Sequence, residues 1–343
     1  MKTSKISKEI PRKVEPQIKI NRKKTPKEIT NRIQEIEYVD PATGESDSLD
    51  ITFSNVDKSF ILGKTSPKKG DKISARLYLF NWQYLEEKID LYLGSFTLDD
   101  VSISGRPLIA KYSALSIPSK TSFKNTPRSK TWKSTTLKAV GRSIAKRYGL
   151  EFVYDSGAAI KIKSIKQSSQ NDCEFLYALA KKYGQGMKVY CGKIIIYSKA
   201  KYEAKKSLVT YKETDLISWS FNDSIYKTYT GAKMKYTNAK SNKTYTASVG
   251  GGSRILHINE KADSKADARL QAIAKLNEEN ETATTMEIEV KPNPKLIATG
   301  TLTITDMGQV NGKYFINKIT HTINRNGYTM KLEIRKIQKR IKK

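Results

Sequence analysis

The residues of this chain with the chemistry for catalysis or metal binding are few: His257 and His321, Cys173 and Cys191, and the carboxylate pairs Glu86-Glu87 and Glu278-Glu279. No His/Cys/Asp cluster has metal-ligand spacing. Both histidines lie in strand-like stretches, where a satisfied core or interface histidine is the expectation. The carboxylate pairs are adjacent in sequence rather than opposed across a cleft, so they read as solvated faces and not as the acid and base of a glycosidase. Gly250-Gly-Gly-Ser253 is followed by Arg254-Ile-Leu, not by Gly-Lys-Ser/Thr, and reads as a flexible loop rather than a phosphate cradle. A nucleophile triad assembles in space, so spacing alone leaves one open, but no nucleophile elbow or cysteine-protease signature flags it. Cys173 falls in the first turn of an expected helix and Cys191 in an expected hairpin, so both are read as reduced, small core residues. The expectation is a protein without catalysis, cofactor or metal.

Charge offers the other chemistry. The chain carries 63 Lys and Arg against 34 Asp and Glu, a formal net charge of +29. The excess is uneven: no acidic residue occurs between Asp100 and Glu151, a span that includes Arg128, Lys130, Lys133 and Arg142. These four are the candidate basic interaction surface. Such a field attracts polyanions and speeds their approach. It also fits docking on acidic partner subunits, or plain solubilisation of exposed faces by lysine. The recognised nucleic-acid motifs are missing: no zinc-finger spacing, no RNP-like aromatic strand, no helix-turn-helix. Specific nucleic-acid binding is therefore not expected. No run approaches the roughly 18 apolar residues of a spanning helix, and the basic amino terminus is followed by no apolar stretch, so a cytoplasmic origin is expected.

The elements that would position these residues are mostly strands. From Ile29 to about Ile117, alternating runs such as Leu49, Ile51, Phe53 and Ile73, Ala75, Leu77, Leu79 are separated by the turns Asp40-Pro-Ala-Thr-Gly44 and Pro67-Lys-Lys-Gly70. Short strands at this spacing suggest a closed or nearly closed barrel. Pro118 to Lys130 has no apolar period and reads as a linker. Two helices follow. Trp132, Leu137, Val140, Ile144 and Tyr148, closed by Gly149, outline the first. In the second, Asn171 or Asp172 caps Phe175, Leu176, Leu179 and Tyr183, and Gly184 ends it. Strand signals resume near Leu208 and continue through Trp219, Phe221 and Ile225. One more helix, capped by Asp263 or Ser264, carries Ala266, Leu270, Ile273, Ala274 and Asn277 on one side. Three alternating runs close the chain. Leu302 and Ile304 share a face; so, by alternation, do Phe315, Asn317, Ile319, His321 and Ile323, and so do Tyr328, Met330, Leu332 and Ile334.

The segment Gln167-Ser-Ser-Gln-Asn-Asp-Cys-Glu-Phe-Leu-Tyr-Ala-Leu-Ala-Lys-Lys-Tyr-Gly184 resembles the "Q-x-x-x-x-D-x-x-F-L-x-x-L-A-x-x-x-G" stretch of the phage late control protein D family, the XkdQ-like baseplate hub proteins of contractile tails. The closing succession is similar as well: a strand led by Gly300, the turn Gly308-Gln-Val-Asn-Gly312-Lys-Tyr, a long strand ending near His321, Asn326-Gly-Tyr-Thr, and a last strand. The amino-terminal part of type VI secretion spike proteins is similar too.

The resemblance implies a mainly β protein with α+β parts. Two small β-barrel, tube-like domains are joined by a small α/β module, with one helix inserted in the second barrel. The boundaries expected are 1–28 for a basic extension, 29–117 for the first barrel, 118–200 for linker and module, and 201–343 for the second barrel. It further implies a homotrimer that adapts a sixfold tail tube to a threefold spike. Tail tube, spike and baseplate wedge proteins are then its partners, and the baseplate of a phage or a phage-tail-like bacteriocin its place. A basic polyanion-binding barrel module is the alternative, and a cell-wall hydrolase ranks third.

Overall fold

The computed structural model describes residues 11–60, 67–117, 123–157, 159–226, 228–238 and 242–341. The first ten residues of the expected basic extension and residues 118–122 of the expected linker lie outside them. The fold is mainly β, and the chain divides into two compact units: Met1–Tyr38, Ser48–Ser116 and Thr322–Tyr328, and Val39–Asp47, Ile117–His321 and Thr329–Lys343.

In the first unit the elements run β1 (Lys13–Ile20), β2 (Lys23–Lys24), α1 (Lys27–Thr30), β3 (Ile33–Pro41), β4 (Ser48–Ser54), β5 (Lys72–Phe80), β6 (Lys88–Ser104) and β7 (Ile109–Leu115). The sheet order is β3-β4-β7-β6-β5-β1-β2. Strict alternation places Leu49, Ile51 and Phe53, and Ile73, Ala75, Leu77 and Leu79, in one apolar core with Phe96, Tyr112 and Trp82. The runs expected as two strands, Ile89 to Phe96 and Leu98 to Ser104, form the single long β6. Residues 13–20, read from the sequence as part of an extension, form β1, paired with β5 along its whole length.

The second unit begins with an α/β module: β8 (Arg128–Thr136), α2 (Leu137–Arg147), β9 (Glu151–Asp155), β10 (Lys161–Gln170), α3 (Asp172–Lys182), β11 (Gln185–Tyr190), β12 (Lys193–Ser198) and α4 (Lys199–Glu203). Thr136 caps α2 by accepting from the Ala139 amide at 3.1 Å, and Asn171 caps α3 by accepting from the Glu174 amide at 2.8 Å. Trp132 belongs to β8, not to the first helix. Gly149 and Gly184 end the two helices in left-handed backbone, at φ +64° and +67°. The strands they lead into, β9 and β11, flank β12 on its two sides, one parallel and one antiparallel. Gly186 is required for a different reason: a Cβ there would sit 2.2 Å from the Tyr197 ring.

The unit continues with β13 (Thr210–Lys212), β14 (Leu216–Asp223), β15 (Gly231–Asn238), β16 (Lys243–Gly250), β17 (Ile255–Ile258), α5 (Lys265–Asn280), β18 (Thr284–Val290), β19 (Thr301–Thr305), β20 (Gly312–Asn324) and β21 (Gly327–Lys336). Ser264 caps α5, accepting from the Asp267 amide at 3.1 Å. The helix buries Ala268, Ala272 and Leu276 against the three-stranded sheet β16-β15-β17, while Ala266, expected on the inner side, is exposed. A second order runs β14-β18-β21-β20, with β19 on β20 and β13 on β19, over a core of Met286, Ile288, Leu302, Tyr314, Ile316, Ile319 and Leu332.

One expected face in β20 is corrected. Tyr314, Ile316 and Ile319 share this core, so the alternation slips between Ile316 and Ile319, and Phe315 turns instead into a cluster with Ala42, Tyr197 and Ala298. The strand is buried on both faces there, and alternation alone does not say which core each apolar residue joins. Among the described residues no closed barrel is seen.

Candidate interaction surface

The four sequence-predicted residues all lie in the α/β module, three on β8 and Arg142 on the outer side of α2. Two are engaged inside the module. The Arg128 guanidinium lies 3.5 Å from the Asp172 carboxylate and 3.4 Å from the Tyr148 hydroxyl, and the Lys130 ammonium stands 3.8 Å from the centre of the Trp132 ring. Trp132 in turn stacks on Phe175 of α3, with ring centroids 6.4 Å apart. Lys133 and Arg142 project into solvent. β10, paired antiparallel with β8, adds exposed Lys161, Lys163 and Lys166. No sustained period-two signal marks these three in the sequence: Lys161 and Lys163 alternate with buried Ile162, but Lys166 has the parity of Ile162, and Gln167, at the parity of Lys161, is buried.

Beneath these cations sits Asp172, fully buried at the first position of α3. Its carboxylate accepts from the Gln167 side chain at 2.8 Å, from the Tyr148 hydroxyl at 2.7 Å, and from Arg147. Burial pushes its pKa up, but the Gln167 and Tyr148 hydrogen bonds and the Arg147 charge outweigh that and hold it below the usual carboxylate value. The helix amino terminus favours the same anion. Of the two residues expected to cap α3, Asn171 does so, and Asp172 ties the helix to β10 and α2.

Two other buried ionic groups were not legible as such. The Lys188 ammonium is enclosed by Asp40 and, at 3.2 Å, Asp47, and Asp40 also accepts from the Ala298 amide at 2.9 Å. Burial lowers the Lys188 pKa, but the two carboxylates reverse that and raise it. The turn Asp40-Pro-Ala-Thr-Gly44 is thus an anchor: the Thr43 hydroxyl and Gly44 amide bond Met187, and the Tyr197 hydroxyl donates to the Ala42 carbonyl at 2.9 Å. Glu203 and Glu281 bind Arg335, Arg340 and Lys199, with Arg340 bridging both carboxylates at 2.6 Å. Burial raises the Glu281 pKa, yet the surrounding cations bring it down to about 2.

The histidines and cysteines do not converge. His321 is buried, and desolvation lowers its pKa to about 4. His257 is exposed on β17. Burial pushes the Cys173 thiol up to about 11, so it stays protonated and unreactive at neutral pH. No group of three or more His, Cys, Asp or Glu able to hold a metal occurs among the described residues. No helix there is long and apolar enough to cross a membrane.

The fold is that of tail proteins. It matches the 43 kDa tail protein of prophage MuSo2 from Shewanella oneidensis with a TM-score of 0.72, covering 94% of this chain and 98% of that one at 15% identity. A tail protein from Neisseria meningitidis MC58 matches with a TM-score of 0.69, covering 94% and 96% at 10% identity. The E. coli c3393 protein, described as a type VI secretion component, follows at 0.63, covering 95% and 78% at 12% identity.

Residues 123–335 match the YQBQ-like family, and the chain belongs to it. It is 29% identical over 220 residues to the "Probable baseplate hub protein" of Escherichia phage P2, a match taking in 63% of this chain and 54% of that one. The same-named protein of Escherichia phage 186 is 30% identical over 167 residues, 48% of this chain and 40% of that one. The chain thus spans about half or less of the length of these relatives. They bear out the resemblance to baseplate hub proteins that the sequence carries.

Proposed function

We propose that the chain is a structural baseplate hub protein of a contractile injection system. One observation carries the reading: relatives named as baseplate hubs are 29% and 30% identical to it over 63% and 48% of its length, and two tail proteins share its fold over 94% of its length. In this reading its work is binding without catalysis. Its strand-rich regions, 29–117 and 201–343, act as two barrel-like tube domains joined by the α/β module. Three copies form a ring that presents six such domains to a sixfold tail tube and a threefold socket to the spike, so that both matches are closed rings. Wedge proteins hold the outside, where Lys133 and Arg142 offer cationic contacts. The protein is made in the bacterial cytoplasm and ends in the baseplate of a virion or a tail-like particle.

Light scattering on the purified chain, alone and with the spike protein of its own particle, tests the reading. The expected species is a trimer of about 116 kDa, three times the chain's 38.8 kDa. A persistent monomer under both conditions would overturn it.

A further inference from the structure

β14 is the terminal strand of its sheet order, and among the described residues it pairs only with β18. Its register sets Trp219 opposite Ile288 and Phe221 opposite Met286, which puts the indole on the core side of the sheet. Ile288 and Met286 are almost fully buried, whereas Trp219 is 44% exposed. The indole N–H donates to Glu213 at 3.4 Å, so the ring is held in place at the margin of the core. The register shifts between Leu216 and Ser218, and Ile217, in the shift, is 56% exposed; Ile225 and Tyr226, just past the strand, are exposed still further. A terminal strand with an aromatic and a branched aliphatic side chain uncovered is an edge that another strand can join.

The charge around this edge identifies the occupant. In a chain of net charge +29 it is net acidic: Glu213, Asp215 and Asp223 lie on or beside β14, and Glu287 and Glu289 stand opposite Ser220 and Ser218 on β18, against Lys212 and Lys331, the latter 2.6 Å from Glu287. The first unit ends in the opposite way. Its terminal strands are β1 and β2, where Arg12, Lys13, Lys19, Arg22, Lys23 and Lys24 are exposed. β2 pairs only with Lys19 and Ile20, and the Thr25 amide donates to the Ile18 carbonyl at 3.0 Å, so among the described residues no strand of this chain covers the outer edge of Lys13–Gln17. Pro16, which cannot donate to a ladder, is tolerated at such an edge.

We propose that the acidic, aromatic β14 edge docks on the basic β1–β2 edge of a second copy of this chain. The contact is heterologous: each copy uses one edge to each neighbour, and repetition by a closing rotation makes a ring. Opposite charge sets the orientation and disfavours β14 against β14 or β1 against β1. The inference rests on the hub reading and names the surfaces that build its ring.

Trp219 provides an internal reporter. Trp82 and Trp132, the other two tryptophans, are each only 7% exposed, so a shift in emission on assembly belongs to Trp219. Full-length protein should show a blue shift as it assembles with rising concentration or on adding the spike, and Trp219→Phe should abolish it. Glu213→Lys with Glu289→Lys, or Lys19→Glu with Lys23→Glu, should each weaken assembly by about tenfold or more, with circular dichroism and melting temperature retained. All four changes in one chain restore complementarity and should recover assembly to within about threefold. A ring that forms without the blue shift, or whose stability ignores both reversals, or is not recovered by the fourfold variant, overturns this pairing and leaves the hub reading standing. A chain that stays monomeric even with the spike overturns both.

Discussion

Gln167 donates its side-chain amide to Asp172 at 2.8 Å and, with the same nitrogen, to the Gln170 carbonyl at 2.9 Å. The two residues, five apart in sequence, are the polar positions of the segment that most resembles the hub family, and their contact explains that spacing. Gln167 is the last inward side chain of β10, and Asp172 opens α3. The bond fixes the angle at which the chain turns from strand to helix, and Arg147 and Tyr148 bring the end of α2 to the same carboxylate.

Asp172→Ala should therefore destabilise the module by about 3–5 kcal/mol, since it leaves Arg147, Tyr148 and Gln167 facing a buried gap. Gln167→Ala should cost less, about 1–3 kcal/mol, because the carboxylate keeps its other partners. Urea unfolding followed by circular dichroism checks the order. Equal losses would mean that Asp172 does not organise the group.

Stability should fall on mild acidification, with two windows. His321 has its pKa lowered from 6.5 to about 4, so between those values the unfolded chain binds the extra proton and the folded chain does not. Folding then weakens by about 1.4 kcal/mol for each pH unit below 6.5, until the folded histidine itself titrates. Glu281, lowered from 4.5 to about 2, adds a second loss as pH falls below 4.5. His321→Gln should flatten the melting temperature between pH 6.5 and about 4.5 while keeping the drop below it. An unchanged slope in the upper window would show that His321 is not the group responsible.

Much of this was legible in the sequence because local chemistry decides it. Caps, glycine stops and period-two alternation place α2, α3, α5, β4, β5 and β21 without knowledge of what they touch. What was hidden depends on partners distant in the chain. Arg128 and Lys130 look like free surface charges until Asp172 and Trp132 are placed beside them. Lys188 looks like any strand lysine until the turn at Asp40 folds over it. Phe315 and Ile319 obey alternation on paper, but β20 is buried on both faces and slips between them. Trp219 carries the opposite lesson: its alternation assigns it to a core, yet this chain leaves it at the core's edge.

Neutralising the exposed cations should touch assembly and not the fold. Lys133→Gln with Arg142→Gln should retain the melting temperature and weaken binding to an acidic partner subunit in a way that added salt mimics. The same pair tests the polyanion alternative. Wild-type protein at micromolar concentration should not shift duplex DNA at about 150 mM salt, and a shift that falls steeply with salt would revive that alternative.

Phe315 and Leu179 separate the two jobs of the second unit. Phe315 lies among Ala42, Tyr197 and Ala298, with the Arg335 guanidinium 4.6 Å from its ring centre. Removing the ring opens a cavity between β20 and the Asp40 turn and uncovers a guanidinium that belongs to the Glu203 and Glu281 cluster. Phe315→Ala should cost about 3–5 kcal/mol. Because β20 is also the strand on which β21 and β19 are built, loosening it should spread to the sheet that ends in β14, and assembly should fail or give way to aggregation. Leu179 is buried within the core of the α/β module, away from that sheet order. Leu179→Ala should cost about 2–5 kcal/mol, enough to lower the melting temperature, and should still assemble. Mass by light scattering and melting temperature, measured on both variants, decide the matter. A Phe315→Ala protein that trimerises and melts like the wild type would remove β20 as the element linking the core of this unit to the ring.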